Sequence, residues 1–546
     1  MLSSRLVLLS VLHTAVLAVS TIVHLDYATY RGRSLDRGVT SWLGMRYAAA
    51  PVGQLRFAPP RDPGIQGNVD AYEHGDICLS TGRLSQAGAS EDCLFVDVYA
   101  PSDADPAKPL PVYFFIQGGG FNSNSNANYD GSGLIAASGH SIVVVTFNYR
   151  VGPYGFLASS EVVASGSSTT NNGLRDQIKA LEWVNKYISH FGGNPNHVVL
   201  GGDSAGAASI GLLLTMNGGK PTRLYHAAAA ESVSFAPVLT VNESQYQFDK
   251  LVQRTRCASG DASTVMSCLR RLTTFELQLH SRPMPYPELD SPNAPVFMWN
   301  PVLDNELVHD YTYRAFNTGA FQHIPVIFGD DTNGGTVFAP RWINSLERSN
   351  QFLVEQFPQL SAADMSRINE LYPIQGPYFA HAGRWWRRTA NAYGEMRYMC
   401  PNLFIATAFA RHAPQTPCWS YLWNVEDRRQ MEAGYGVPHV VELHAIWGPE
   451  NTGGGAPWSY FRDSIYFTSN TIKSANIGRN AWVVPLVQQY WTRFITDLDP
   501  NGQGPQGWGK RMRFDSNEDD MGMEAIDEGL RERCEYWWSI GVGLRQ

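Results

Sequence analysis

One stretch limits what this chain can fold into more than any other: VVLGGDSAGAASIGLLLTM, from Val198 to Met216. Val198 to Leu200 reads as a short buried strand, followed by a tight turn centred on Ser204 and a helix of small and apolar residues. Gly202-Asp203-Ser204-Ala205-Gly206 places a glycine two residues to each side of the serine. A turn this sharp lifts the serine hydroxyl clear of the sheet, and glycines without Cβ let strand and helix pack closely. The helix N-terminus behind Ser204 offers free N–H groups and a positive dipole end. The pentapeptide alone arises readily by chance, so the strand before it and the helix after it carry the weight.

The neighbouring chain has the same rhythm. Alternation from Leu94 to Tyr99 predicts a strand, and Pro111 to Gln117 predicts another that ends in Gly118-Gly119-Gly120-Phe121. Ser141 to Asn148 is a further buried strand. Asn172-Gly173 opens a helix with Leu174, Ile178, Leu181, Trp183, Val184 and Ile188 as its apolar face, stopped at Phe191-Gly192-Gly193-Asn194-Pro195. After the serine turn, strands are expected at Tyr225 to Ala230 (ending at Glu231), Ile324 to Phe328 and Trp419 to Val425. A closing helix runs through Tyr490-Trp491-Thr492-Arg493-Phe494. Strand and helix alternate from Pro111 to Met216, the pattern of a mostly parallel α/β sheet with helices on both faces. The loop-rich segment from Asn242 to Phe321 and the Trp-, Arg- and Tyr-rich segment 345–430 are expected to form long excursions over the sheet.

The 42 basic and 50 acidic residues give a net charge of −8 with no basic stripe, which argues against a nucleic-acid partner. Arg5 followed by the apolar run Leu6 to Val19 reads as a secretory signal over residues 1–20, with small residues at Ala18 and Ser20 for cleavage. No later apolar run is long enough to span a membrane. In a secreted chain, seven cysteines suggest disulfides with one thiol left over. Cys78 with Cys93 and Cys257 with Cys268 are the expected pairs, and Cys400 with Cys418 could make a third that leaves Cys534 over, but spacing alone does not fix the connectivity. Asn242-Glu243-Ser244 is a glycosylation sequon.

The chain resembles the type-B carboxylesterase/lipase family of cholinesterases and secreted fungal lipases, and the fungal members most. The residues that carry the likeness are Glu91-Asp92-Cys93-Leu94, Gly118-Gly119-Gly120-Phe121, Asn148-Tyr149-Arg150, Asp176-Gln177 with Ala180-Leu181, Phe191-Gly192-Gly193 and Gly202 to Gly206. The resemblance implies one large α/β-hydrolase domain over residues 21–546, with a cleft above Ser204. It implies an oxyanion hole from the N–H groups of Gly119, Gly120 and Ala205, a small-molecule or lipid ester as substrate, and no metal or cofactor. Asp203 stands where many relatives carry Glu, and Gln117 where they often carry His.

By the same resemblance, His439 in Gly436-Val437-Pro438-His439 is the general base, and its chemistry suits the task. Serine is a poor nucleophile near neutral pH, and a neutral imidazole can take its proton and return it to the leaving alkoxide. The third partner is missing. The family pattern Asp-Glu-Gly-Thr reads Asn333-Gly334-Gly335-Thr336 here, with Gly334 at the position of the acid. Three readings stand. Another carboxylate serves, with Glu231 the leading candidate and Asp330 and Asp331 three to four residues early. Or the centre is a weakened esterase using Ser204 and His439 alone. Or the fold has left hydrolysis for binding, acyl transfer or biosynthesis.

Overall fold

The computed structural model describes residues 19–125, 127–374, 376, 379–462, 478–501 and 511–546. The segment expected to be a signal, apart from its last residues, lies outside them. Short runs of β-branched and aromatic residues become eleven strands of one sheet. In chain order these are β1 (Arg33–Leu35), β2 (Val39–Arg46), β3 (Phe95–Pro101), β4 (Leu110–Ile116), β5 (Val143–Phe147), β6 (Gly193–Asp203), β7 (Ala227–Glu231), β8 (Val326–Asp331), β9 (Cys418–Asn424), β10 (Arg511–Asp515) and β11 (Gly522–Glu524). Their order across the sheet is β11-β10-β9-β8-β7-β6-β4-β5-β3-β2-β1. From β5 to β10 every neighbouring pair is parallel, and the flanking pairs are antiparallel.

The two-residue repeat of the strands divides the core between the two faces. Phe114, Ile116, Leu200, Ala228 and Ala230 pack on one side with the helices α1 (Asn172–Tyr187) and α2 (Ala205–Thr215). Tyr113, Phe115, Val199, Ala227 and Ala229 pack on the other, against α5 (Val483–Asp497). A third cluster binds the excursion after β8, including α3 (Trp386–Gly394), to the C-terminal helix α6 (Glu528–Gly541). This layer touches the His439 ring through Tyr398 and Phe338. Among the described residues, no helix is long and apolar enough to cross a membrane.

Element positions follow the sequence reading closely, with shifted ends. β6 is the largest shift: it begins at Gly193 rather than Val198, with an irregularity in pairing between the two. The helix expected to stop at Phe191 ends at Tyr187 and tightens into a 3₁₀ turn over Ile188–Phe191, closed by Gly192 at φ 83°. Two of the disulfides are as expected, Cys78–Cys93 and Cys257–Cys268. The third is not. Cys400 pairs with Cys534, 134 residues away, and Cys418 is free. The reason is tertiary: Cys400 opens α4 (Cys400–His412), which packs on α6 where Cys534 lies, whereas Cys418 starts a strand. Burial pushes the Cys418 thiol up to about 12, which disfavours its thiolate. Asn242 is exposed, as a glycosylated asparagine must be.

Candidate functional site

Ser204 joins β6 to α2 with φ 52° and ψ −113°, a backbone region that side chains rarely enter. The surroundings force this conformation. A Cβ on Gly206 would overlap the Ile116 carbonyl, and one on Gly202 would press on the Gly206 backbone at 2.9 Å. Ser204 N–H donates to the Glu231 carbonyl at 2.9 Å, so the strand next door anchors the turn. The Ser204 side chain sits almost buried, 7% exposed, at the head of an eleven-residue helix.

The glycine loop after β4 meets the turn from the other side. Asp203 accepts from Gly118 N–H at 2.8 Å, tying loop and turn together. Gly119 and Gly120 have φ 117° and 60°, which favours glycine at both. No hydrogen bond within the described chain uses the N–H of Gly119, Gly120 or Ala205, so three donors are left for a ligand oxygen. Gln117 is turned away into structure, donating to Asn124 at 2.6 Å and Asn148 at 3.0 Å. Tyr149 hydroxyl donates to the Gln117 carbonyl at 2.9 Å, and the buried Arg150–Asp176 pair fixes the next loop to α1 at 2.7 Å. The recurring sequence motifs thus frame the loop and turn.

His439 stands on a loop docked to the one after β8. Asn333 Oδ1 accepts from Val437 N–H at 3.0 Å, and its own N–H donates to the Val437 carbonyl at 2.9 Å. Asp331 accepts from Val440 N–H at 2.7 Å. The ring itself is held by aromatic contact, tilted on Tyr398 at 4.2 Å and edge-on to Phe338 at 5.2 Å. Neither ring nitrogen has a hydrogen-bond partner among the described residues. Burial, with the nearby Arg397 cation, pushes the imidazole down to about 3.

Among the described residues, no carboxylate reaches that ring. Glu231 was expected to, and the structure corrects this expectation. Its side chain points beneath the turn, accepting from Gly202 N–H at 3.1 Å, Trp491 Nε1–H at 2.9 Å and the Tyr113 hydroxyl at 3.2 Å. The cause is strand alternation: Glu231 pairs with Asp203 at the end of β7 and faces the Trp491 side of the sheet. Burial and the Asp203 charge hold its carboxyl well above the usual range. Asp330 and Asp331 also miss the ring. Asp331 instead accepts from the Ser232 hydroxyl at 2.6 Å and lies against Glu442, which accepts from Ser232 at 3.2 Å and Tyr421 at 3.1 Å. Burial raises both carboxyls, and the Glu442 charge raises that of Asp331 further. The network was not read from sequence; its members lie on four separate segments, and only Asp331 carried a signal.

Gly334 is the residue that faces His439. A Cβ built there would lie 3.8 Å from Nδ1, with Tyr398 Cδ2 at 3.6 Å and the Asp331 carbonyl at 3.8 Å. A side chain at this position would therefore start in ordinary contact and point at the imidazole.

Glu231 accordingly gives a sharp expectation. Glu231→Gln should change ester turnover by less than about fivefold, against about 10⁴-fold for loss of a triad acid. It should lower stability by about 1–3 kcal/mol, because an amide NH₂ replaces an acceptor facing buried donors. Turnover and thermal unfolding measured on the same sample separate the two; dead activity in a stable variant restores Glu231 as the acid.

Comparison with known proteins adds to this geometry. The model of the carboxylesterase family matches residues 19–537. Para-nitrobenzyl esterase of Bacillus subtilis is 35% identical over 478 residues, 83% of this chain and 88% of its own. Secreted lipase 4 of Gibberella zeae is 29% identical over 440 residues, 78% of each chain. Fumonisin B1 esterase of Sphingopyxis macrogoltabida is 32% identical over 422 residues, 74% of this chain and 72% of its own. The crystal structure of Aspergillus niger EstA superposes with a TM-score of 0.88 at 38% identity, covering 97% of this chain and 99% of that one. With a strand–serine–helix turn set in an α/β-hydrolase sheet and a match that runs nearly end to end, this chain belongs to the carboxylesterase family of serine hydrolases, whose members cleave carboxylic esters.

Proposed function

We propose that the chain is a secreted carboxylic ester hydrolase that works through a Ser204–His439 centre and an acyl-enzyme, with turnover limited by the missing acid at Gly334. The observation that supports this most is the Ser204 turn, strained at φ 52° with three unused N–H donors beside it. Ser204 Oγ attacks the ester carbonyl, and the carbonyl electron pair moves to oxygen, held by the N–H groups of Gly119, Gly120 and Ala205. His439 Nε2 takes the serine proton and passes it to the departing alkoxide. A water or another alcohol, deprotonated in turn by His439, attacks the acyl-enzyme and releases Ser204. No metal or organic cofactor enters this chemistry.

The remaining features fit a small-molecule or lipid ester met outside the cell. They are a signal over residues 1–20, one hydrolase domain over 21–546, and a sequon at exposed Asn242.

A second reading has one specific observation in its favour. His439 has no partner at either nitrogen and lies among aromatic rings, an environment that disfavours imidazolium. On that reading the cleft binds, or transfers acyl groups by another route, and hydrolysis is vestigial.

A fluorophosphonate probe with p-nitrophenyl esters of two to eight carbons decides between them. Hydrolysis predicts labelling at Ser204 and turnover above background, both lost in Ser204→Ala. No labelling of the folded wild type sinks the hydrolytic reading.

A further inference from the structure

Arg397 lies in one π turn, Glu395–Met399, inserted between α3 and α4. Such insertions re-aim side chains and recur at functional sites. This one sets Tyr398 against the His439 ring and Arg397 over the Phe297 ring. Arg397 is 4% exposed, and within the described chain its guanidinium makes one hydrogen bond, from Nε to the Ser234 hydroxyl at 3.1 Å. It also lies 5.5 Å over the Phe297 ring. No carboxylate among the described residues pairs with it.

The other buried arginines differ. Arg56 is paired with Glu91 at 2.6 Å and Arg150 with Asp176 at 2.7 Å, and Arg511 with Glu524. Arg270 and Arg388 are each saturated by hydroxyls, amides and carbonyls. A guanidinium removed from water is costly unless its donors are matched. Arg511 leaves Nη1 unmatched but is held by its carboxylate, whereas the terminal nitrogens of Arg397 have only the Tyr398 hydroxyl beside them among the described residues, and no carboxylate or carbonyl.

Its position says what would match them. Phe297 lies against Gly120, because a Cβ on that glycine would overlap the ring. Phe297 also faces Phe338 at 5.8 Å, and Phe338 meets His439 at 5.2 Å. The fork therefore lies against the Phe297 ring, which touches Gly120 on one side and reaches His439 through Phe338 on the other, with no acid at Gly334 to neutralise it. A planar fork of this kind binds a carboxylate through two parallel hydrogen bonds.

We infer that the cleft selects esters carrying a free carboxylate, such as half-esters of dicarboxylic acids, with Arg397 as the anchor for that carboxylate. This deepens the hydrolase reading, since it assumes the cleft above Ser204 is the substrate site. The acyl carbonyl sits on the three N–H donors, and the carboxylate, several bonds away, on Arg397.

The experiment has two arms. In the first, kcat/KM for monoethyl adipate and ethyl butyrate is measured by pH-stat titration in wild type, Arg397→Gln and Arg397→Lys. The wild-type preference for the half-ester should be about 10- to 100-fold, the usual scale for a charge-assisted contact. It should collapse in Arg397→Gln and be partly kept in Arg397→Lys, mainly through KM. In the second arm, adipate binding is measured by calorimetry, which requires no turnover. Wild type should bind, and Arg397→Gln, with a native near-UV spectrum, should not. If Arg397→Gln does not fold, Arg397→Lys carries the comparison, with binding weakened several-fold. Absence of adipate binding to wild type, or equal binding by the variants, overturns the inference. If no ester is turned over but adipate binds through Arg397, the hydrolytic reading fails and the carboxylate site stands. Binding of inorganic phosphate in preference to adipate also overturns the carboxylate assignment.

Discussion

Gly334→Glu should raise kcat/KM for simple p-nitrophenyl esters by up to about 10⁴, the factor lost when a triad acid is removed elsewhere. Room for the new side chain exists at its root: a Cβ would meet no atom closer than 3.6 Å, and Gly334 is not in the left-handed backbone region. The loop that would present the carboxylate is already docked on the His439 loop through both the amide and the backbone of Asn333. Little reorganisation is therefore needed before a carboxylate can accept from Nδ1–H and orient the ring. Gly334→Ala is the control for shape and should give no gain; Gly334→Gln supplies an acceptor without charge and should fall between. Equal rates for all four proteins, each folded, would mean the acid's absence is not what limits the chemistry.

The sequence carried the scaffold because the scaffold is written locally. Runs such as Val143-Val144-Val145 and the Leu174–Ile188 face have one sensible period each, and the Gly202–Gly206 turn has one sensible geometry. Gly334 was legible for the same reason, as a departure inside a short motif. What stayed hidden depends on contacts between distant segments. Cys400 and Cys534 are joined only because α4 and α6 pack together. Glu231 looked like an acid at a strand end, but its alternation turns it toward Trp491 and Tyr113. Arg397 and Tyr398 sat in the expected excursion 345–430, and the inserted π turn that sets Tyr398 against His439 has no signature in composition or spacing. The site's polar skeleton is therefore partly a motif and partly an outcome of packing.

The pH dependence of kcat/KM should show the same missing carboxylate in a second, independent way. A general base in the free enzyme loses activity tenfold per pH unit below its pKa, and an ordinary imidazole does so from about 6.5. Burial, with Arg397 nearby, holds His439 down to about 3, so the neutral base persists at lower pH. Wild-type kcat/KM should accordingly be flat from about pH 8 to pH 5, and low throughout, because so weak a base accepts the serine proton poorly. Placing a carboxylate against Nδ1 favours the protonated ring and moves its pKa upward. Gly334→Glu should therefore be fast at pH 8 and bend downward near pH 6 to 7, losing about 30-fold by pH 5 while the wild type loses almost nothing. The two profiles converge toward acid, so the gain from the new carboxylate shrinks as pH falls. A wild-type profile that already bends near pH 6.5 would show that His439 is hydrated or paired in solution, and a low rate would then need a cause other than an unsupported imidazole.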